Sequence, residues 1–167
     1  MIRQTTKDDR AGIYKLYKKV ATIAGGLARL ENEVDNTYID GFLDKTISRG
    51  LSLVAVDAND NIVGEIHAYA SGLFCFAHVW TELTIAMDPD SQGQGVGRQL
   101  FTGFLNEVSS NYPHILRIEL IARESNQKAI KFYQSLGFAI EGTFKNRIKN
   151  IDETYESDIA MAWLRSE

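Results

Sequence analysis

The sequence has a single cysteine, Cys75, and no apolar run long enough to span a bilayer. One cysteine excludes an internal disulfide bond. The N-terminal residues MIRQTTKDDR have no apolar core, so no signal peptide is predicted there. We therefore expect a cytoplasmic protein with no membrane partner. Cys75 lies in the apolar run GLFCFAHVW and is predicted to be a buried small hydrophobe.

The sequence also lacks an excess of basic charge. The net charge is -4, and the lysines and arginines are scattered along the chain. A nucleic-acid-binding protein would need a dense basic patch, so no nucleic-acid partner is predicted. Three histidines are present, and their spacing with the acidic residues predicts no metal site. His67 and His78 lie in strand-like runs and are predicted to be hydrogen-bonded structural residues.

The remaining composition, 44% hydrophobic and 24% charged, is that of a globular protein, and 167 residues predict one domain over 1–167. Hydrophobic periodicity predicts four helices. They are a segment from about Lys7 to Ala24, a segment from Tyr38 to near Gly50, a segment with an apolar stripe from Leu100 to Val108, and SNQKAIKFYQSLG, capped by Ser125 or Asn126. Six strands are predicted at LSLVAVD, IVGEIHAYA, VWTELTIAMD, ILRIELIA, FAIEGTF and YESDIAMAWL. The predicted class is α/β of the α+β type, with a mixed, mostly antiparallel central sheet flanked by helices.

A glycine-rich stretch, DSQGQGVGRQL, follows the third predicted strand and opens a helix. This context suits an anion, because the first helical turn has free N–H groups and glycines admit phosphate oxygens closely. The stretch lacks the Lys-Ser/Thr of a P-loop. Its G-x-G-x-G spacing and its neighbouring strands disfavour a dinucleotide site. By itself, such a turn is more often structural.

Two motifs and the order of elements together favour a functional role. Gln92-x-x-Gly95-x-Gly97 directly follows the strand ELTIAMDPD, and NQKAIKFYQSLGF follows later in the chain. In these features the chain resembles the GCN5-related N-acetyltransferases, the GNAT superfamily, from about Ile2 to Leu164. The resemblance implies that the strand before the loop binds the pantetheine arm of acetyl-CoA through backbone groups at Ile85, Ala86 and Met87. It also implies a pyrophosphate site formed by Gln92, Gly93, Gln94, Gly95, Val96, Gly97 and Arg98. A solvated surface role for Arg98 stays open.

The resemblance also implies a general acid. Tyr133 lies seven residues after Asn126, which places both side chains on one face of a helix. Asn126 would hydrogen-bond the pantetheine arm, and Tyr133 would protonate the departing thiolate. The alternative is that Tyr133 is a core residue.

A carboxylate base would help to neutralise an alkylammonium acceptor. Glu82 occupies a position where several GNAT members place such a glutamate, and its apolar neighbours predict partial burial, which would raise its pKa. A solvent-facing or salt-bridged carboxylate is the alternative. Ribosomal-protein N-terminal acetyltransferases instead place a catalytic glutamate five residues before the Asn, where this chain has Ile121. We expect Glu119 to point to the opposite face of that strand.

The predicted function is acetyl transfer from acetyl-CoA to a primary amine of a small molecule, amino acid or peptide, with no metal. The loop GGLARLENEVDN carries Glu31, Glu33 and Asp35, which would attract an amine. The alternative is a non-catalytic acyl-CoA-binding regulatory module. The acceptor remains open, and so does a homodimer.

Overall fold

A computed structural model describes residues 1–23 and 25–166. These residues form four α-helices and seven β-strands. In chain order they are β1 (Ile2–Gln4), α1 (Arg10–Ala21), α2 (Asn36–Arg49), β2 (Gly50–Val56), β3 (Ile62–Tyr69), β4 (Val79–Met87), α3 (Val96–Asn111), β5 (Arg117–Arg123), α4 (Gln127–Gln134), β6 (Ala139–Lys149) and β7 (Tyr155–Leu164).

The seven strands form one sheet in the order β1-β2-β3-β4-β5-β7-β6. Every neighbouring pair is antiparallel except β4 and β5, which run parallel. Helices cover both faces. Leu100, Phe101 and Phe104 of α3 are fully buried in one core cluster, whereas Ile13 of α1 and Ile39 of α2 are fully buried in the other. The predicted mixed, mostly antiparallel sheet flanked by helices is confirmed.

The helix boundaries follow from local capping. Asp35 accepts a hydrogen bond from Tyr38 N at 2.7 Å and caps α2, and Asn126 accepts from Ala129 N at 3.1 Å and caps α4. Of the two predicted caps for α4, Asn126 is therefore the observed one. Gly137 follows α4 with a φ of 93°, a left-handed conformation that favours glycine.

Four features differ from the sequence-based predictions. The three-residue strand β1 is too short to show periodicity, and β6 extends to Lys149 because it pairs with β7 along most of its length. Helix α1 starts at Arg10, after a 3-10 turn, and its predicted end at Ala24 lies outside the described residues. The predicted burial of Cys75 is wrong. Cys75 is exposed, because its apolar run forms a loop between β3 and β4 instead of a strand.

Candidate active site

The parallel strands β4 and β5 separate soon after they meet. They pair at Val79 with Arg117 and at Trp80 with Ile118. Beyond these pairs the strands border a cavity of about 630 Å³ that α4, β6 and β7 also line. A smaller cavity of about 270 Å³ adjoins it and extends to Gln92. The gap thus leads from the middle of the sheet toward the glycine-rich loop.

The backbone of β4 presents hydrogen-bonding groups to this gap. Asp88 N donates to Val63 O of the β3 side at 2.8 Å. In an antiparallel ladder, residues bonded to one neighbour alternate with residues whose backbone groups point the other way. Ala86 therefore directs its N–H and C=O toward β3, and its side chain is buried beneath α1 and α2. Ile85 and Met87 border the gap, so of the three predicted residues Ala86 is the one that does not face it.

The glycine-rich loop leads into α3 without a side-chain cap. Gly95 is the N-cap residue and has a φ of 78°, and Gly93 has a φ of 81°. A Cβ atom added at either glycine would meet no atom within 4 Å, so the space beside both is open. The N–H groups of Val96 and Gly97 lie in the first helical turn, where they have no intrahelical partner. The loop can therefore hold an anionic oxygen close to its backbone.

Charged side chains around the loop are partly neutralised. Asp88 and Asp90 precede the glycines, and Lys19 of α1 contacts the two carboxylates at 2.6 and 2.7 Å. Lys19 thus offsets negative charge that would otherwise repel an anion at the loop. Arg98 donates to Ser135 Oγ at 2.8 Å and lies 5.4 Å from the centre of the Phe132 ring. Arg98 is exposed, and these contacts hold it between α3 and the end of α4. Gln94 donates to Asp90 O at 3.5 Å.

The structure brings Asn126 and Tyr133 to the same cavities. Both line the 630 Å³ and the 270 Å³ cavities, together with Ile85. The Oδ1 atom of Asn126 is used as the cap of α4, which leaves its Nδ2 amide as a donor. Tyr133 packs against Phe101 and Phe138, with ring centres 5.7 and 6.2 Å apart. Burial raises the pKa of Tyr133 to about 12, so its hydroxyl is protonated at neutral pH.

Glu82 lies on β4 at the irregularity in the β3–β4 pairing, with a φ of 56°. Its side chain is exposed, so the partial burial expected from its apolar neighbours is wrong. The left-handed backbone turns Glu82 out of the regular alternation of the strand. As a result, Glu82 lines both the 630 Å³ cavity and a separate cavity of about 770 Å³ beneath α2.

Comparisons with known proteins agree with this geometry. The family described as acetyltransferase (GNAT) domain matches residues 48–140, more than half of the chain. The chain belongs to the GNAT family.

Two curated relatives from Escherichia coli strain K12 carry different acetyltransferase or acyltransferase names. The [ribosomal protein bS18]-alanine N-acetyltransferase is 38% identical over 82 residues, which are 49% of this chain and 53% of that protein. The chain thus spans about half the length of the bS18-specific relatives it matches. The L-amino acid N-acyltransferase MnaT is 25% identical over 144 residues, covering 83% of this chain and 79% of that protein.

Solved structures show the same fold at low identity. A GCN5-related N-acetyltransferase from Kribbella flavida has a TM-score of 0.82 and 23% identity, covering 99% of this chain and 97% of its own. A GNAT superfamily phosphinothricin acetyltransferase from Sinorhizobium meliloti, solved in complex with AcCoA, has a TM-score of 0.82 and 16% identity, covering 100% of this chain and 89% of its own.

One expectation about β5 is wrong. Glu119 and Ile121 were expected on opposite faces, but residues two apart on a strand point to the same face. Both residues line the cavity between β4 and β5. Glu119 forms an ion pair with Arg117 at 2.6 Å, and Arg117 also pairs with Glu141. Glu119 is therefore one of four carboxylates that line this cavity, with Glu82, Glu141 and Asp158, and it is held by a cation.

A buried polar network lies beneath α1 and was not predicted from the sequence. Glu65 is fully buried and accepts hydrogen bonds from Tyr17 OH at 2.6 Å and from Ser52 Oγ at 2.6 Å. His67 Nδ1 lies 3.0 Å from Glu65 Oε2, and the His67 ring stacks on Phe42 with centres 4.1 Å apart. The predicted hydrogen-bonded role of His67 is confirmed. The signal available in the sequence was Glu65 two residues before His67 in an otherwise apolar strand.

Within residues 1–23 and 25–166 no group of three His, Cys, Asp or Glu side chains could hold a metal ion. No helix of this part of the chain is long and apolar enough to cross a membrane.

Proposed function

We propose that this chain, acting as one unit over 1–167, transfers an acetyl group from acetyl-CoA to a primary amine by direct attack. The observation that carries the proposal is that three elements border the same adjoining cavities. These elements are the unpaired edge of β4, the end of the glycine-rich loop at Gln92, and the Asn126–Tyr133 face of α4. Membership of the GNAT family supports the same donor.

Acetyl-CoA would supply an acyl group activated as a thioester. The residues present fit this donor, because the open space beside Gly93 and Gly95 admits phosphate oxygens to backbone N–H groups. Ile85 and Met87 would bind the pantetheine amides through their free backbone groups. The Asn126 amide would donate to the same arm.

In the proposed reaction, Glu82 accepts a proton from the acceptor ammonium through a water molecule. The neutral nitrogen then forms a bond with the acyl carbon, and the carbon–sulfur bond breaks as the nitrogen loses its second proton to solvent, which leaves a neutral amide. Tyr133 donates its hydroxyl proton to the departing thiolate, and solvent restores both residues to their starting states. The exposed position of Glu82 between two cavities supports its role as the base, since water reaches it there.

The first experiment is a titration with acetyl-CoA, followed by an assay of free-thiol release across a panel of amines. Acetyl-CoA binding with thiol release supports the proposal. Binding without thiol release from any amine would favour the alternative, a non-catalytic acyl-CoA-binding regulatory module. A failure to bind acetyl-CoA would overturn both.

Two variants then test the residue roles. Tyr133→Phe should lower kcat by about 10²-fold or more and leave acetyl-CoA affinity nearly unchanged, because general acid catalysis typically contributes this much. Tyr155→Phe, at an exposed tyrosine on β7, is the matched control. Unchanged turnover in Tyr133→Phe would remove Tyr133 from the mechanism. Glu82→Gln should abolish the acidic limb of the pH–rate profile, and a normal profile would eliminate Glu82 as the base.

A further inference from the structure

The 770 Å³ cavity beneath α2 has a charge that is opposite to that of the whole chain. Three cationic side chains line it, Arg29, Lys45 and Arg49, and among the residues that the structure describes Glu82 is its one acidic lining residue. The chain as a whole has 22 acidic and 18 basic residues. This cavity is therefore a local concentration of positive charge in an acidic protein.

These three cations are unpaired in the part of the chain that the structure describes. Seven of the other fifteen lysines and arginines form described ion pairs, as Arg3 does with Asp9 and Arg123 with Glu156. The described ion pairs include none of the three cavity cations. Their charge thus remains available to a ligand.

Aromatic rings hold two of these cations at the cavity wall. The Arg29 guanidinium lies 3.8 Å from the centre of the Tyr38 ring, and Lys45 Nζ lies 4.9 Å from the centre of the Tyr69 ring. A cation on a ring face keeps its full charge, and the N–H groups of a stacked guanidinium remain free at its edge. The tyrosines therefore restrict the cations in position and leave their donors for an anion.

The acidic residues expected to attract the acceptor do not line this cavity. Glu33 accepts a hydrogen bond from Leu30 N at 2.8 Å, and Asp35 caps α2. Both carboxylates thus stabilise the local backbone. Arg29, from the same loop, lines the cavity instead.

From this arrangement we propose that the acceptor is a small amine that also carries a carboxylate. The carboxylate would bind Arg29, Lys45 and Arg49, and the amine would lie at Glu82, which also borders the cavity of the proposed acetyl donor. The cavity volume of about 770 Å³ is within the range of small-molecule sites. This inference rests on the proposed function, because it assigns the acceptor of that reaction.

The test compares free amino acids with their α-carboxamides, which keep the amine and lose the negative charge. The free acids should react with kcat/KM at least about tenfold higher, because charge-assisted hydrogen bonds contribute this much to binding. A short peptide with an acidic second residue distinguishes a small amino carboxylate from a peptide N-terminus. Higher kcat/KM for the peptide would overturn the small-molecule assignment.

Charge-removing variants locate the site. Each of three variants, Arg49→Gln, Lys45→Gln and Arg29→Gln, should raise KM for the free amino acid about tenfold. The same variants should change KM for the amino acid α-carboxamide and for acetyl-CoA less than about twofold. Lys7→Gln, at an exposed lysine outside the cavity, controls for net charge. Equal KM values for acid and carboxamide, or cavity variants that behave like Lys7→Gln, would overturn the inference and leave acetyl transfer intact.

Direct binding separates the two proposals. Calorimetry with a free amino acid, in the absence of acetyl-CoA, should detect binding. Arg49→Gln should weaken this binding, and Lys7→Gln should leave it unchanged. Such binding without thiol release would contradict the proposed reaction and retain the carboxylate site. Thiol release from amines with no such binding preference would contradict the site alone.

Discussion

The buried Glu65 network gives a stability prediction that can be worked out in numbers. In Tyr17→Phe, Glu65 loses the hydroxyl donor at 2.6 Å and keeps Ser52 Oγ at 2.6 Å and His67 Nδ1 at 3.0 Å. A hydrogen bond to a charged group contributes about 1.5–3 kcal/mol, and no water replaces it at a fully buried site. We therefore expect the free energy of unfolding to fall by about 1.5–3 kcal/mol. For a chain of this size, each kcal/mol lowers Tm by about 2–4 °C, so the expected change is about 3–12 °C.

The assay is equilibrium unfolding in urea, with the slope m compared between variants to verify that the unfolded states are alike. Tyr14→Phe is the matched control on the same helix. Its half-buried ring lies near Lys18, and its hydroxyl makes no hydrogen bond with the described residues, so its effect should stay within about 0.5 kcal/mol. If Tyr17→Phe is no more destabilising than Tyr14→Phe at unchanged m, the reasoning about a buried charged acceptor is refuted.

Three further predictions concern the loop and the titratable groups. Because Gly95 has a φ of 78°, Gly95→Ala should lower the free energy of unfolding by about 1 kcal/mol and weaken acetyl-CoA binding. Gly103→Ala, inside α3, is the control, because its added Cβ makes only an ordinary 3.9 Å contact and should not destabilise the fold. Urea unfolding measures the stability of each variant, and calorimetry measures its acetyl-CoA affinity. The hydrogen bond from Arg3 lowers the pKa of Asp9. The unaltered protein should therefore be more stable than Asp9→Asn at pH 7, and this difference should disappear as the pH falls below about 3.9. Unfolding curves of the two proteins that converge at low pH would support this prediction. Burial raises the pKa of four of the seven tyrosines, which are Tyr17, Tyr38, Tyr112 and Tyr133. The folded state therefore binds more protons than the unfolded state above about pH 10, and the free energy of unfolding should fall there. Measured by ultraviolet absorbance at that pH, fewer tyrosines should be ionised in the native protein than in the protein unfolded in urea.

Local periodicity predicted the elements of this fold well because each long element carries its own signal. The stripe of α3 and the alternation of β3 are visible without any tertiary information. The spacing from Asn126 to Tyr133 likewise predicted that both side chains lie on one face of a helix, since a helix of known pitch fixes that relation, and both residues line the same cavities. Strand β1 lay outside this method, because three residues define no period.

The orientation of residues on irregular strands depended on tertiary pairing. The φ of 56° at Glu82 appears where the β3–β4 register shifts, and nothing in VWTELTIAM marks that position. The direction of the Ala86 backbone likewise depends on which of its neighbours β3 pairs with. The error for Glu119 and Ile121 was of another kind, because the two-residue period of a strand already places them on one face.

The distribution of unpaired positive charge connects the two proposals. At the glycine-rich loop, Lys19 neutralises Asp88 and Asp90, and Arg98 is held by a neutral serine instead of a carboxylate. In the cavity beneath α2, Arg29 and Lys45 are held by neutral tyrosine rings. Both arrangements fix a cation without neutralising it. In a chain with net charge -4, both sites thus keep positive charge, which suits the phosphates of the proposed donor at one site and the carboxylate of the proposed acceptor at the other. Glu82 borders the 630 Å³ cavity of the proposed donor and the 770 Å³ cavity of the proposed acceptor, which is where a base must lie if an amine bound on one side attacks an acyl group bound on the other.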